Sequence, residues 1–149
     1  MKPKAFIFGG FVNGLGIARS LAKDGIQSDV FDVSECLAAQ SSSASFIQSP
    51  SPVDEYKFIQ FIIKHSLKQK LKPVCFITND IWLVPLLKNR EKLEEYMHFP
   101  MSCWNIIEKC YDKEYLSNHC KIHKIPHPKS IFPKSTKEVL DNFLTCYYI

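Results

Sequence analysis

The feature that most constrains the fold is a short apolar run near the start of the chain that leads directly into a glycine-rich turn. Ala5–Phe8 is continuously apolar, which is typical of a strand covered on both faces, as in a parallel sheet. The glycine-rich residues 9–16 follow, and apolar residues then recur at helical spacing until Gly25. Residues 29–32 form a second short strand pattern. This order predicts a βαβ unit within about 30 residues.

The rest of the chain continues the alternation of strand and helix patterns. We expect two further strands, at residues 44–48 and 73–78. Helices are predicted at residues 53–70, 81–87, 89–97, 105–110, 113–124 and 135–145. Ser135 and Glu138 match a capping box at the start of the last helix. The pattern therefore predicts an α/β fold: a three-layer, Rossmann-like domain with a mostly parallel sheet of about four strands.

Composition narrows the classes of partner. A chain of 149 residues is long enough for one domain that removes roughly 70% of its unfolded surface from water. Its net charge of +4 falls short of the basic footprint of a nucleic-acid-binding protein. No apolar run approaches the roughly 18 residues that span a bilayer. The 6 cysteines form no CxxC pair, so we expect reduced thiols in a cytoplasmic protein. From the charge and the short apolar runs, we expect neither a nucleic-acid nor a membrane partner.

Ligands of parallel sheets bind beyond the carboxyl ends of the strands. Three sequence features fall there: residues 9–16, Asp32, and the run Thr78, Asn79 and Asp80. The glycines either allow a tight turn or expose helix N–H groups to a small anion. Their spacing does not match the dinucleotide fingerprint G-x-G-x-x-G, and no Walker lysine follows them. Asp32 either stands at the position that binds a ribose in Rossmann enzymes or has a helix-capping or turn role. Asp80 either caps the next helix or lines the pocket.

Two other groups of polar residues have simple interpretations. His119 and His123 are four residues apart with Cys120 beside them, a spacing that zinc tolerates, but no second ligand pair accompanies them. We interpret them as an exposed helix face and expect no metal site. Four lysines flank the carboxyl end of the helix predicted at residues 53–70, and we interpret them as a solvated face whose charges complement the helix dipole. They are Lys64, Lys68, Lys70 and Lys72.

Three segments of the chain share motifs with one family. GGFVNGLGIARSLAKDGIQSDVFD contains a strand end, a glycine-rich loop and an "ARSL" helix. PVCFITNDIWLVPLLKNREKLEEY matches a strand with an "SD…NR..L" continuation, with Asn79 where serine is common. YDKEYLSNHCKIHKIPHPKS matches "DK…L…GIP.P.S", with Lys124 where glycine is usual. In this order they resemble the N-terminal, pre-ATP-grasp domain of ATP-grasp ligases, closest to the carbamoyl-phosphate-synthase-like and amino-acid ligase group. The resemblance covers nearly the whole chain.

This resemblance implies a ligase that joins a carboxylate to an amine through an acyl phosphate, with ATP and Mg²⁺ as cofactors of the full-length enzyme. It implies a substrate site for the small carboxylate or amine, lined by Gly10, Asn13, Gly14, Leu15, Asn79 and Asp80. It also implies that Lys113 reaches the nucleotide phosphates, an interaction for which a flexible ammonium is suited. The alternative for Lys113 is a surface lysine in the first turn of a helix.

The resemblance also predicts a domain organisation. Residues 1–111 would form the pre-ATP-grasp domain, and residues 112–149 a helical linker and the start of the ATP-grasp domain. Because the family continues with catalytic elements beyond this point, we expect no activity from this chain alone, an apolar patch at residues 147–149, and a partner ATP-grasp domain in cis or in trans. A homodimer is compatible with this organisation. The alternative function is a stand-alone small-anion or nucleotide-binding module, or a partner subunit.

Overall fold

The computed structural model describes the backbone of residues 2–146 and the side chains of residues 2–141. It confirms the predicted three-layer α/β fold, which is built on a four-stranded, all-parallel sheet with the strand order β3-β2-β1-β4. The strands are β1 (Ala5–Phe8), β2 (Ser28–Asp32), β3 (Ser45–Gln48) and β4 (Val74–Ile77). Each begins and ends within one or two residues of its sequence pattern. The apolar patch predicted at residues 147–149 lies outside the described residues.

The helices are α1 (Val12–Lys23), α2 (Glu55–Ser66), α3 (Asp80–Lys88), α4 (Arg90–Leu93), α5 (Trp104–Tyr111), α6 (Lys113–Ile122) and α7 (Thr136–Cys146). Two predicted helices were too long. The helix predicted from residue 53 begins at Glu55, because the Asp54 side chain accepts the N–H of Lys57 and caps it. The helix predicted over residues 89–97 is reduced to the single turn α4.

The two faces of the sheet are covered by different helices. On one face, Ala18 of α1 packs against Ile7 and Val30 of the central strands. On the other face, Phe58 of α2 and Trp82 of α3 have ring centroids 5.4 Å apart, and Phe8 lies 5.0 Å from Phe31. Because neighbouring residues of a strand point to opposite faces, β1 contributes to both cores. The continuous apolar run Ala5–Phe8 is explained by this double coverage, and its residues are at most 1% exposed.

The open edge of β4 is extended by a short parallel bridge between Val74 and His98. Cys75 donates its N–H to the carbonyl of His98 at 2.8 Å, and His98 donates to Pro73 at 2.8 Å. The sequence patterns did not predict this extension. It leaves fewer unpaired backbone groups along β4.

The chain separates into two compact units, Met1–Trp104 and Asn105–Ile149. The first unit contains the sheet and α1 to α4, and the second contains α6 and α7. The domain boundary expected from the family resemblance, after residue 111, stays a prediction. Among residues 2–146, no helix has the length and apolar character required to cross a membrane.

Candidate functional site at the carboxyl ends of β1 and β4

The strand order has one switch point, at the carboxyl ends of β1 and β4. The strands β2 and β3 lie to one side of β1, and β4 lies to the other. Such switch points are where open α/β sheets bind ligands. The predicted substrate residues follow the two strands that flank this point: Gly10, Asn13, Gly14 and Leu15 after β1, and Asn79 and Asp80 after β4. We call the loops after β1 and β4, together with the first turns of α1 and α3, the rim.

Gly9 brings the two loops of the rim into contact. Its backbone has φ +95°, a left-handed conformation that favours glycine, and a Cβ built on it would lie 2.3 Å from Oγ1 of Thr78 and 3.3 Å from Nδ2 of Asn79. The Thr78 hydroxyl in turn donates to the carbonyl of Phe8 at 2.7 Å. Sequence reasoning placed Thr78 at this edge of the sheet but assigned it no contact, because its hydroxyl bonds to a residue 70 positions away.

Gly10 is held from two directions by residues that follow β2. Its N–H donates to Oδ2 of the buried Asp32 at 2.8 Å, and its carbonyl accepts the N–H of Ala38 at 3.0 Å. A Cβ on Gly10 would lie 2.2 Å from Sγ of Cys36. The second oxygen of Asp32 accepts the N–H of Val33 at 2.8 Å. Asp32 thus holds the backbone of the loops after β1 and β2, which agrees with the turn role among its sequence interpretations.

Gly14 allows α1 to begin directly against the end of β1. A Cβ at this position would lie 1.9 Å from the carbonyl oxygen of Gly9. Gly16 lies two residues further along α1, and a Cβ at that position would have no atom within 4 Å. Of the predicted substrate residues after β1, Gly10 and Gly14 are buried, Leu15 is half-buried and Asn13 is exposed.

The first turn of α1 lacks the acidic residue that the first turns of α2 and α3 contain. Its N-cap residue, Phe11, makes no side-chain cap, and no acidic residue stands in its first turn. By contrast, α2 is capped by Asp54 and has Glu55 in its first turn, and α3 has Asp80 there. A helix start exposes N–H groups and about half a positive charge. Among the long helices of the first unit, α1 is therefore the one whose first turn contains no acidic side chain, and the carboxylate described beside it is that of Asp32 on the N–H of Gly10. This helix start lies at the rim.

The residues after β4 have more exposed side chains. Asn79 is the N-cap of α3, with extended backbone, and its side chain makes no capping hydrogen bond. Asp80 is the first residue of α3, and the N-cap position is occupied by Asn79. The interpretation of Asp80 as the N-cap is therefore wrong. Both side chains are exposed, and they offer an amide and a carboxylate beside the positive start of α1.

Exposed apolar side chains are concentrated around the same ends of the strands. Among residues 2–104, nine large apolar side chains are exposed, and two of these, Leu67 and Leu71, lie at the opposite edge of the sheet. The other seven follow the carboxyl ends of the four strands: Phe11, Val12, Val33, Leu37, Val53, Tyr56 and Ile81.

Lys113, the predicted phosphate ligand, belongs to the second unit. It is the first residue of α6, which Asp112 caps by accepting the N–H of Tyr115 at 2.9 Å. Its side chain is exposed, and it lines a cavity of about 520 Å³ together with Leu116, Ser117, Cys120, His127, Pro128, Ser130, Ile131 and Phe132. The ammonium of Lys113 is thus accessible to an anion.

The backbone conformation of Lys124 accounts for the glycine that is usual at this position of the third motif. Lys124, which stands where the motif has glycine, adopts φ +53° just beyond the end of α6. The N–H of Ile125 bonds to the carbonyl of Cys120 at 2.9 Å, which closes the helix in the way a glycine normally allows. The position thus has the left-handed backbone that glycine favours.

The histidines of α6 form no metal site in the described part of the chain. The rings of His119 and His123 have centroids 4.3 Å apart. However, no group of three or more histidine, cysteine, aspartate or glutamate side chains among the described residues could hold a metal ion.

The chain was also compared with known proteins. No family model, no curated protein and no solved structure matches it. The likeness to ATP-grasp ligases therefore rests on the motifs quoted above.

Proposed function

We propose that this chain is the N-terminal, substrate-binding part of an ATP-grasp ligase that joins a carboxylate to an amine through an acyl phosphate. The observation that carries the proposal is the convergence of the implied substrate residues at the switch point between β1 and β4. Residues 65 positions apart in sequence, such as Gly14 and Asn79, follow neighbouring strands here. The order of three family motifs adds to this support.

The polar groups of the rim suit a substrate that carries both a negatively charged carboxylate and a positively charged ammonium group. A carboxylate would take the N–H groups at the uncapped start of α1, where the helix dipole favours a negative charge. An ammonium would take the exposed carboxylate of Asp80 and the side-chain oxygen of Asn79. The exposed Phe11 and Ile81 would contact an apolar side chain. An L-amino acid is the simplest molecule with these groups.

The second unit would serve the nucleotide. Lys113 would donate to phosphate oxygens, and its exposed side chain at the start of α6 leaves it free to do so. The described residues offer no cluster of ligands for Mg²⁺, so the ion would be held by the nucleotide and by an ATP-grasp domain in cis or in trans. The left-handed backbone at Lys124 supports the third motif, because it provides a reason for the glycine that is usual there.

Calorimetric titration with a panel of L-amino acids and short dicarboxylates tests the proposal. We expect at least one amino acid to bind, and we expect Asn79→Ala to weaken this binding about three- to tenfold, as is typical when one hydrogen bond is lost. Asn118→Ala is the matched control, since Asn118 is an exposed asparagine on α6 in the other unit. Equal effects of the two substitutions, or no binding by any member of the panel, would contradict the proposal.

The second candidate is a stand-alone module that binds a small anion or a nucleotide, and the uncapped start of α1 is the observation that favours it. The two candidates differ in their response to ATP·Mg²⁺. The ligase part should bind ATP weakly by itself and turn none over, whereas the stand-alone nucleotide module should bind it tightly. Tight binding of ATP·Mg²⁺ with turnover by this chain would therefore overturn the first candidate.

A further inference from the structure

We propose that the amino edge of the sheet, opposite the rim, holds a second binding site whose ligand is a small amphipathic anion. The ligand class is a short alkyl chain that ends in a phosphate or a carboxylate. This inference is independent of the ligase proposal, because it uses none of the rim residues. It rests on two adjoining cavities that share two lysines.

The first cavity is a lysine-lined cleft of about 580 Å³. It lies between the α1–β2 turn and the segment after α2, and its positive residues are Lys2, Lys4, Lys68 and Lys70. Asp24 is the only acidic residue among those that line it. The volume falls in the range of roughly 300–1,000 Å³ that is usual for small-molecule sites.

The lysines of the cleft differ in their partners. Lys4 donates to Oδ1 of Asp29 at 2.8 Å, and the other oxygen of this 2% exposed aspartate lies 3.0 Å from Nε2 of His65. Lys4 is thus held in place by a buried group. Lys2 donates to the backbone carbonyl of Asp24 at 2.7 Å and makes no ion pair with the side chains of residues 2–141.

Two lysines of the cleft are available to a ligand. Lys68 and Lys70 are exposed and make no ion pair with any residue from 2 to 141. Both follow the end of α2, where they complement the helix dipole. Both residues line the cleft, and we propose that the anionic group of the ligand binds to their ammonium groups.

The second cavity is a smaller, apolar slot of about 170 Å³. It is lined by Lys2 and Lys4 at the junction with the cleft, and otherwise only by apolar residues: Pro3, Ala5, Leu21, Ile26, Val74 and Phe76. A water molecule in the liquid occupies about 30 Å³. On that scale the slot has room for roughly five or six atoms of a hydrocarbon chain.

The two cavities together select the ligand. An inorganic anion would satisfy the lysines but leave the apolar slot in contact with water. A neutral hydrocarbon would fill the slot but leave the lysines without a counter-charge. A chain with an anionic head satisfies both, because the lysines that border the slot also line the cleft.

A calorimetric series of alkyl phosphates tests this site. Butyl, pentyl, hexyl and octyl phosphate should bind about fourfold more tightly for each methylene buried, until the slot is full near hexyl. Inorganic phosphate should bind far more weakly than hexyl phosphate, and hexanol should not bind measurably. A hexanoate arm distinguishes a general anion site from one selective for phosphate, and binding of either head group supports the proposal.

Charge variants locate the site. The pair Lys68→Gln and Lys70→Gln should weaken hexyl phosphate binding about fivefold or more. The matched control pair, Lys92→Gln and Lys121→Gln, removes the same charge from exposed lysines that do not line the cleft. It should leave binding unchanged. All four side chains are exposed, so folding should not be impaired.

Three results would overturn the proposal. The first is inorganic phosphate that binds as tightly as hexyl phosphate. The second is a control pair that weakens binding as much as the cleft pair does. The third is binding only to vesicles of phosphatidylglycerol with none to free alkyl phosphates, which would indicate a membrane surface reached by Leu67 and Leu71. Because the probes carry no ammonium, failure here leaves the amino-acid test of the rim unaffected.

Discussion

The loops at the carboxyl ends and at the amino ends of the parallel strands are held in place by different interactions. At the carboxyl edge, glycines allow backbone to approach backbone, and the buried carboxylate of Asp32 accepts the N–H of Gly10. At the amino edge, a buried carboxylate, Asp29, instead takes the side chains of Lys4 and His65. The first arrangement leaves little freedom for substitution, and the second leaves cationic side chains in solvent.

This difference follows from the direction of the helices. In a parallel sheet with crossover helices, helices begin at the carboxyl edge and end at the amino edge. Acidic residues therefore stabilise the first turns, such as Glu55 in α2 and Asp80 in α3, and basic residues the last turns, such as Lys23 in α1. The exception is the start of α1, which has no acidic residue. The departure from the general pattern occurs where we propose that a substrate carboxylate binds.

The largest effect is expected from a methyl group added to the carboxyl edge. Gly14→Ala should destabilise the protein by about 3 kcal/mol, the upper part of the range for overpacking, because the new Cβ would lie 1.9 Å from a backbone carbonyl. Gly16→Ala, in the same helix but facing open space, should stabilise it by up to ~1 kcal/mol. Urea denaturation measures both, and equal effects would contradict the close approach described here.

A smaller loss of stability is expected when the buried carboxylate of Asp32 is removed. Asp32→Ala leaves the buried N–H of Gly10 without an acceptor, which should cost about 1–3 kcal/mol. Asp32→Asn keeps one acceptor oxygen and should lose less. If Asp32→Ala and Glu35→Ala, a substitution of a nearby exposed acid, have the same unfolding free energy, Asp32 does not hold the loop.

At the amino edge, the corresponding substitution should change the dependence of stability on pH. Burial tends to raise the pKa of Asp29, but its hydrogen bonds and ion pairs with His65 and Lys4 outweigh this and lower the pKa below 3.8. The folded pKa is thus below the unfolded one, so the stabilisation is complete above the unfolded value and is lost as the pH falls through the folded one. Asp29→Asn should remove this part of the acid-induced loss. An unchanged acid profile, measured by urea denaturation between pH 6 and pH 2, would contradict it.

The smallest effect on stability is expected from the exposed lysines of the amino edge. Lys68→Gln with Lys70→Gln should change the free energy of unfolding by less than about 0.5 kcal/mol, since exposed charges contribute little. Thermal denaturation without ligand checks this. A large loss would mean that the two lysines stabilise the fold itself and that their effect on ligand binding cannot be separated from folding.

The strands and most helices could be predicted from sequence, because hydrophobic periodicity is local. Ala5–Phe8 was recognisable from its uninterrupted apolar run, and even the polar-flanked β3 was found. What could not be predicted are contacts between residues distant in sequence. Asp32 with Gly10 spans 22 positions, and His65 with Asp29 spans 36. No periodicity specifies such pairs, since they depend on how the strands are ordered.

The same limit applies to the candidate site. The glycines and the pair Asn79–Asp80 were visible as residues after strands, but the role of Thr78 in joining the ends of β1 and β4 was not. The spacing of the glycines does not match G-x-G-x-x-G, but this comparison could not show that Gly10 and Gly14 are needed for close packing. That requirement depends on Cys36 and on the Gly9 carbonyl.

The central claim, that the switch point between β1 and β4 takes the substrate, is tested most directly by residue-resolved amide NMR. The protein would be titrated with the L-amino acid that binds best in calorimetry. We predict that the amide signals of Asn13, Gly14 and Asn79 shift together in one saturable process, while those of Lys4 and Lys68 at the amino edge do not. Shifts confined to the amino edge, or no saturable shift at the rim, would contradict the account.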